Sequence, residues 1–426
     1  MTRKIWLTAL LIVVLSLASL PALAQQYDFG GNTVTFVGWV DNLDGLEIAG
    51  RLAEAEALFN VKIERVLVPQ DDYQAQLTAR LLSGDSEYDV WRMTQNESWF
   101  LSMASQEQLL AVSDILGTEY YGEAWDVARA GIEAFTLGGR YYAVSLFPNL
   151  VDAGTAYWTV FNKDIIEDAG LPDPYELYFA GEWTWDAMRD IALATTVDFN
   201  GDGVIDQWGI ANMYEWAFLT STNGDNIFIE DENGKILYNW NSERILEGIA
   251  FGHQLRYVDQ VVTSGFGAFE DGNAAIGFGE GWRVELLANS GKVNYGILPL
   301  PKGPHGDNTL YTGWVETWVL PANTAQPEEM VALVDFLFRT ENIAESTEAT
   351  IEGRIAKWAP DIKGARVMRD TLEKYSQDGV IFQFALTAPE VNEAYGQAIR
   401  GEKTPAEALN AVASVGQAYI DDILGY

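Results

Sequence analysis

The run Thr33-Val34-Thr35-Phe36-Val37-Gly38-Trp39 sets apolar Val34 and Phe36 against Thr33 and Thr35, which is the two-residue period of a β-strand. Residues 46–59 then carry apolar side chains at the spacing of an amphipathic helix, and 61–68 alternate again. Strand, helix and strand with short joints make a βαβ unit, whose two strands are parallel and whose crossover is right-handed. The next helix is expected to open on a capping box made by Asp71 and Gln74. It shows Leu77, Leu81 and Leu82 on its apolar face and stops at Gly84. A third strand is expected over 88–91, so the chain opens as an α/β sheet.

In open α/β sheets ligands sit beyond the carboxyl ends of the strands, where loops and helix N-termini converge. Here those ends carry Trp39, Asp41 and Asp44 after the first strand, and Arg92 with Asn96 after the third. An aromatic plane beside hydrogen-bonding side chains at adjacent strand ends is what a sugar needs, because a sugar ring has apolar C–H faces and a polar rim.

Before this unit, Arg3 and Lys4 precede an apolar run over 5–20, and Pro21 leads to Ala22-Leu23-Ala24. That is the pattern of a secretory signal peptide cleaved after Ala24, which predicts a periplasmic or extracellular protein. The chain has no cysteine, which removes disulfides, thiol nucleophiles, thiolate metal sites and a lipidated anchor. A formal net charge of −36 makes nucleic acid and anionic membranes poor partners.

Further strands are expected over 135–147 and 158–162, a helix over 164–169 stopped by Gly170, and a second α/β segment over 183–259. A strand pair over 293–298 and 315–320 follows the glycine-rich stretch 265–281, and the remainder reads as helical over 327–338 and 404–424. The last helix opens on the capping box Thr404-Pro405-Ala406-Glu407.

One loop, Asp198-Phe199-Asn200-Gly201-Asp202-Gly203-Val204-Ile205-Asp206, matches the first half of an EF-hand. Side-chain oxygens of Asp198, Asn200, Asp202 and Asp206, with the Val204 carbonyl, suit Ca2+ as a structural ion. The pattern fails at its last position, where Gly209 replaces a bidentate glutamate. The alternative is a loop of Asx turns that binds nothing. Tryptophans beside glycine or charge, namely Trp216, Trp282, Trp314 and Trp358, are candidates for stacking on a sugar.

Enzymatic alternatives have little material. Only His253 and His305 exist, and there is no G-x-S-x-G elbow, no G-x-x-x-x-G-K loop and no G-x-G-x-x-G turn. Paired carboxylates of a glycoside hydrolase are not removed by this argument, since acidic residues are abundant. The acidity also leaves a polyamine or other cationic solute as an alternative ligand.

Tyr157-Trp158-Thr159-Val160-Phe161-Asn162-Lys163-Asp164, followed by Ala169-Gly170-Leu171, resembles the crossover strand of the family 1 extracellular solute-binding proteins of ABC sugar importers, the maltose-binding-protein-like group. Ala274-Ala275-Ile276-Gly277-Phe278-Gly279-Glu280-Gly281-Trp282 is similar to that family's segment ending in a pocket tryptophan. Val293 to Pro301 and Gly313 to Asn323 continue in the family's order.

The resemblance implies a two-lobed periplasmic binding protein fold of type II, each lobe a central β-sheet flanked by helices, joined by hinge strands. It implies a monomer that captures a mono- or oligosaccharide, delivers it to transmembrane permease subunits and has no catalytic activity. Trp282 then looks like the stacking residue, and Trp314 with Glu316 lies on a returning cleft strand. The expected crossings fall near Gly154 to Tyr157, near Gly272 and near Leu320. This puts 25–155 and 273–319 in the N-terminal lobe, and 156–272 and 320–426 in the C-terminal lobe.

Overall fold

The computed structural model describes residues 27–41, 43, 46–94, 98–117, 134–146, 154–213, 219, 221–312, 315–338, 343–378, 380–381 and 386–426. The expected signal peptide lies outside the described residues.

The opening unit forms as its periodicity requires. Strands β1 (Thr33–Gly38), β2 (Lys62–Leu67) and β3 (Asp89–Thr94) lie parallel in the order β2-β1-β3. A hairpin of β4 (Thr136–Leu137) and β5 (Arg140–Tyr141) and the short β6 (Ser145–Leu146) follow. Alternation along the strands sends Val34, Phe36 and Val90 into one core and Val37, Trp91 and Met93 into another. The helix expected from a capping box at Asp71 instead spans Gln70–Ser83 behind Pro69, with no side-chain cap bond. Pro69 starts it two residues early, so Asp71 and Asp72 sit inside the first turn, where they favour the helix dipole. Gly84 ends it in the left-handed conformation, as expected.

The second half is built on β7 (Tyr157–Asn162), β8 (Trp208–Ala211), the hairpin β9 (Phe228–Glu230) with β10 (Ile236–Tyr238), β11 (Val262–Thr263), β12 (Ala274–Glu280) and β13 (Tyr295–Leu298). Its main sheet has the order β11-β8-β12-β7-β13, with β7 antiparallel to both neighbours. Two later strands, β14 (Tyr311–Thr312) and β16 (Val380–Ile381), pair with each other. Between them β15 (Glu316–Val319) returns to the first sheet, which completes the order β2-β1-β3-β15-β6. A Cβ at Gly296 would fall 2.1 Å from the Phe161 ring, so β13 approaches β7 this closely only as glycine.

The lobe boundaries differ from those the resemblance implied. Strands β12 and β13 lie in the second sheet, so most of 273–319 belongs to the second lobe and the expected pair over 293–298 and 315–320 is split between sheets. No crossing falls at Gly272, because β11 and β12 are both in the second sheet. The chain changes sheets between β6 and β7, which is the first crossing, and between β13 and β15, which is the second. A further change of lobe falls between the helices that end at Phe338 and start at Ile343. Helix Pro327–Phe338 packs through Met330, Val334 and Leu337 on the first sheet, not the second. Helix Ile343–Trp358 packs with the second sheet through Ile351 and Trp358.

The Thr404 capping box forms, but the expected single helix is two, Pro405–Ala411 and Ala413–Leu424. The last helix touches both halves, with Ile420 in one core and Tyr419 against another.

Candidate functional site

Both crossings meet the same edge of each sheet. Leu146 ends β6 opposite Thr317, next to Glu316 at the start of β15, while Tyr157 starts β7 and Leu298 ends β13 opposite Thr159. The carboxyl ends of β1, β3, β8 and β12 lie along these joined edges. Those strand ends therefore form one wall on each lobe, beside the crossings, where strand-end ligand sites lie.

On the first wall the Arg92 guanidinium lies 4.2 Å from the centre of the Trp39 ring. It pairs with Glu316 at 2.5 Å, and both side chains are buried, at 6% and 7% exposure. The edge of Trp39 meets Tyr73 at 5.2 Å and Trp99 at 6.3 Å between ring centres. The Tyr73 hydroxyl, 2.7 Å from the Val37 carbonyl and 2.9 Å from that of Arg92, ties the helix beneath to both strand ends. Burial pushes its pKa upward, so it stays a neutral donor.

On the second wall Glu280 ends β12. One of its oxygens accepts from the Tyr157 hydroxyl at 2.9 Å and the other from Arg283 Nε at 2.6 Å. The Arg283 guanidinium lies 4.3 Å from the centre of the Trp282 ring, which is 42% exposed. Asn212 follows β8 in the left-handed conformation and donates from its side-chain amide to the Phe278 carbonyl at 2.7 Å.

Of the residues expected at the site, the structure thus brings Trp39, Arg92 and Glu316 together on one wall and puts Trp282 on the other. Asp41 is turned aside: its carboxylate accepts the Leu43 N–H at 2.9 Å and pairs with Arg65 at 2.7 Å. Trp358 is corrected, because it is fully buried in a second-lobe core, edge-on to Trp158, and donates from its ring nitrogen to Glu285 at 3.1 Å. Its charged neighbours Arg354 and Glu285 serve that burial rather than a pocket. Asp44, Trp216 and Trp314 lie outside the described residues. Sequence reasoning missed Tyr73, Trp99, Tyr157, Glu280 and Arg283. Of these only Glu280 carried a local signal, a carboxylate just before a helix at a position glutamate caps poorly.

The EF-hand-like loop is wound on itself. Asp198 accepts the N–H groups of Gly201 at 2.7 Å and Gly203 at 2.8 Å, and the Gly203 bond is the largest influence holding its carboxyl below the usual carboxylate range. Asn200, Asp202 and Asp206 likewise accept N–H groups of Asp202, Val204 and Phe199. The Asn200 and Asp202 bonds, each to an N–H two residues on, are Asx turns of the alternative reading. Each such oxygen keeps a second lone pair, and oxygens of this kind are the hard donors calcium takes. Among the described residues no group of three or more acidic or histidine side chains is drawn together as a metal site. The missing glutamate has a packing cause: a Cβ at Gly209 would lie 2.4 Å from the Ala192 carbonyl.

A family model for "Bacterial extracellular solute-binding protein" matches residues 47–344. Among solved structures, the cyclic α-maltosyl-1,6-maltose-binding protein of Arthrobacter globiformis is similar at 17% identity and a TM-score of 0.66, covering 92% of this chain and 99% of that one. An ABC substrate-binding protein of Listeria monocytogenes, solved with cycloalternan, is similar at 15% identity and 0.65, covering 93% and 99%. The maltose/maltodextrin-binding domain of Bdellovibrio bacteriovorus, bound to maltotriose, is similar at 15% and 0.61, covering 92% and 100%. Identities this low show the fold, a two-lobed mixed α/β architecture. No curated protein matches the chain. No helix among the described residues is long and apolar enough to cross a membrane.

Proposed function

We propose, because this chain belongs to the bacterial extracellular solute-binding proteins, that it captures a carbohydrate between its lobes and delivers it to the permease of an ABC importer. The observation that carries this reading is the pair of tryptophans, Trp39 and Trp282, one on each wall of the cleft, each backed by an arginine. Indole faces stack on the C–H faces of a sugar, and neighbouring polar groups bond its hydroxyls. A ligand that touches both walls binds the closed arrangement better than the open one and shifts the population towards it. The protein acts as an exported monomer, by binding and release, without making or breaking a covalent bond in its ligand.

Calorimetry with neutral mono- and oligosaccharides, joined to small-angle scattering, tests this. Heat with one of them and a more compact particle are the expected results. Heat only with polyamines would overturn the carbohydrate reading in favour of a cationic solute. Release of reducing ends from the bound sugar would make the protein a glycoside hydrolase.

The same reading gives the loop at Asp198 a structural Ca2+, held by Asp198, Asn200, Asp202, Asp206 and the Val204 carbonyl. An ion that binds only the folded chain stabilises it by mass action, about 2.7 kcal/mol at a hundredfold excess over Kd. Chelation should therefore lower the melting temperature by several degrees, and excess Ca2+ should restore it. A melting curve indifferent to both treatments would make this an ion-free turn.

A further inference from the structure

The helix Gly281–Ser290 has Glu280 at its N-cap, but that side chain makes no bond to the helix's own N–H groups. Its first donors are satisfied from elsewhere: the Gly281 N–H donates to the Ala156 carbonyl at 3.0 Å and the Trp282 N–H to that of Gly154 at 3.1 Å. Both carbonyls belong to the first crossing between the lobes. Glu280, only 4% exposed, is turned sideways to Tyr157 and Arg283 instead. Burying a carboxylate is costly unless it is paired and hydrogen-bonded, and here both oxygens are committed to one end of a chain that leads to Trp282.

The arrangement occurs twice. Glu316, where the second crossing reaches the first sheet, holds Arg92 over Trp39 as Glu280 holds Arg283 over Trp282. Two unrelated stretches, one on each sheet, place carboxylate, guanidinium and indole in the same order.

We propose that Glu280 is the positioning residue of the second wall. Through Arg283 it holds the Trp282 ring with one face covered and the other presented to the ligand. Through Tyr157 it fastens that platform to the start of β7, where the chain enters the second lobe. A ring fixed in advance loses less conformational freedom on binding than a mobile one, and the side on which a sugar stacks is set before it arrives.

The ligand part of this inference rests on the carbohydrate reading; the ring-holding part does not, so two measurements keep them apart. The first is the 19F resonance of Trp282 in ligand-free protein labelled with 5-fluorotryptophan, assigned with Trp282→Phe. It should be single and sharp in the native chain, and shifted or broadened in both Glu280→Gln and Arg283→Met. The second is the affinity for whichever sugar of the calorimetric panel binds the native chain. It should fall about tenfold in each variant, the scale of a cation–π contact, and the double variant should be no weaker than the worse single one. Arg283→Met strands the buried Glu280 carboxylate and should lower the melting temperature, whereas the double variant, which removes the charge together with its partner, should recover most of the loss. Both readouts are taken below the lowest melting point. An unchanged resonance in Arg283→Met, or losses that add in the double variant, would overturn the proposal. A native chain that binds no sugar while the resonance still responds would overturn only the carbohydrate reading.

Discussion

Replacing Trp282 by alanine should weaken carbohydrate binding by about thirtyfold or more while moving the melting temperature little. The asymmetry follows from where the ring sits. At 42% exposure it contributes little to a core, and substitutions at such positions usually change stability by only about 0.5 kcal/mol. As an anchor in a desolvated cleft, by contrast, a tryptophan is commonly worth about 2 kcal/mol or more, and 1.4 kcal/mol is tenfold in affinity. Trp282→Phe should recover part of the loss, because phenylalanine keeps a smaller flat face. Calorimetry on the folded variants reads both numbers. Native affinity in Trp282→Ala would remove this residue from the site, and with it the two-walled geometry.

The first lobe was legible because its physics is local. Strand β1 alternates buried Val34 and Phe36 with half-buried Thr33 and Thr35, so that stretch is written in the sequence, and Gly84 marks a helix end wherever the helix packs. Strands β12 and β13 gave no such guide. Every residue in each is buried, and a strand covered on both faces has no polar side to show how it is oriented or which neighbour it joins. Their membership of the second sheet is fixed by pairing with β7, more than a hundred residues away for β12, and no periodicity records that.

Site residues divide along the same line. Trp39 and Arg92 followed from the rule that strand ends gather ligands, and they do meet. Asp41 lay beside them in sequence but is held by Arg65 on the neighbouring strand, a long-range partner that local reading lacks. Trp358 misled because charge beside tryptophan was taken as a sign of a pocket. The same charges, Arg354 and Glu285, satisfy its ring nitrogen and cover its face within a core. A buried indole needs a partner for its N–H as much as a ligand platform needs polar neighbours, so the sequence pattern is shared by both.

The largest loss of stability is expected at Glu316. Glu316→Ala removes the carboxylate but leaves the Arg92 guanidinium buried, and breaking one side of a buried pair costs about 3–5 kcal/mol. For a chain of this size that lowers the melting temperature by about 4–6 °C. Much of the cost is that of a buried guanidinium deprived of this carboxylate, so exchanging both partners should be gentler. Arg92→Met with Glu316→Leu replaces the pair by apolar groups of similar bulk, and it should be more stable than Glu316→Ala alone. The same double variant should nevertheless bind sugar poorly, since Trp39 loses the guanidinium that covers one of its faces. Chemical denaturation followed through the first lobe separates the outcomes. If Glu316→Ala unfolded at the native midpoint, the pair would hold no buried charge in place. If the double variant were less stable than the single one, direct attraction rather than desolvation would dominate this corner of the cleft.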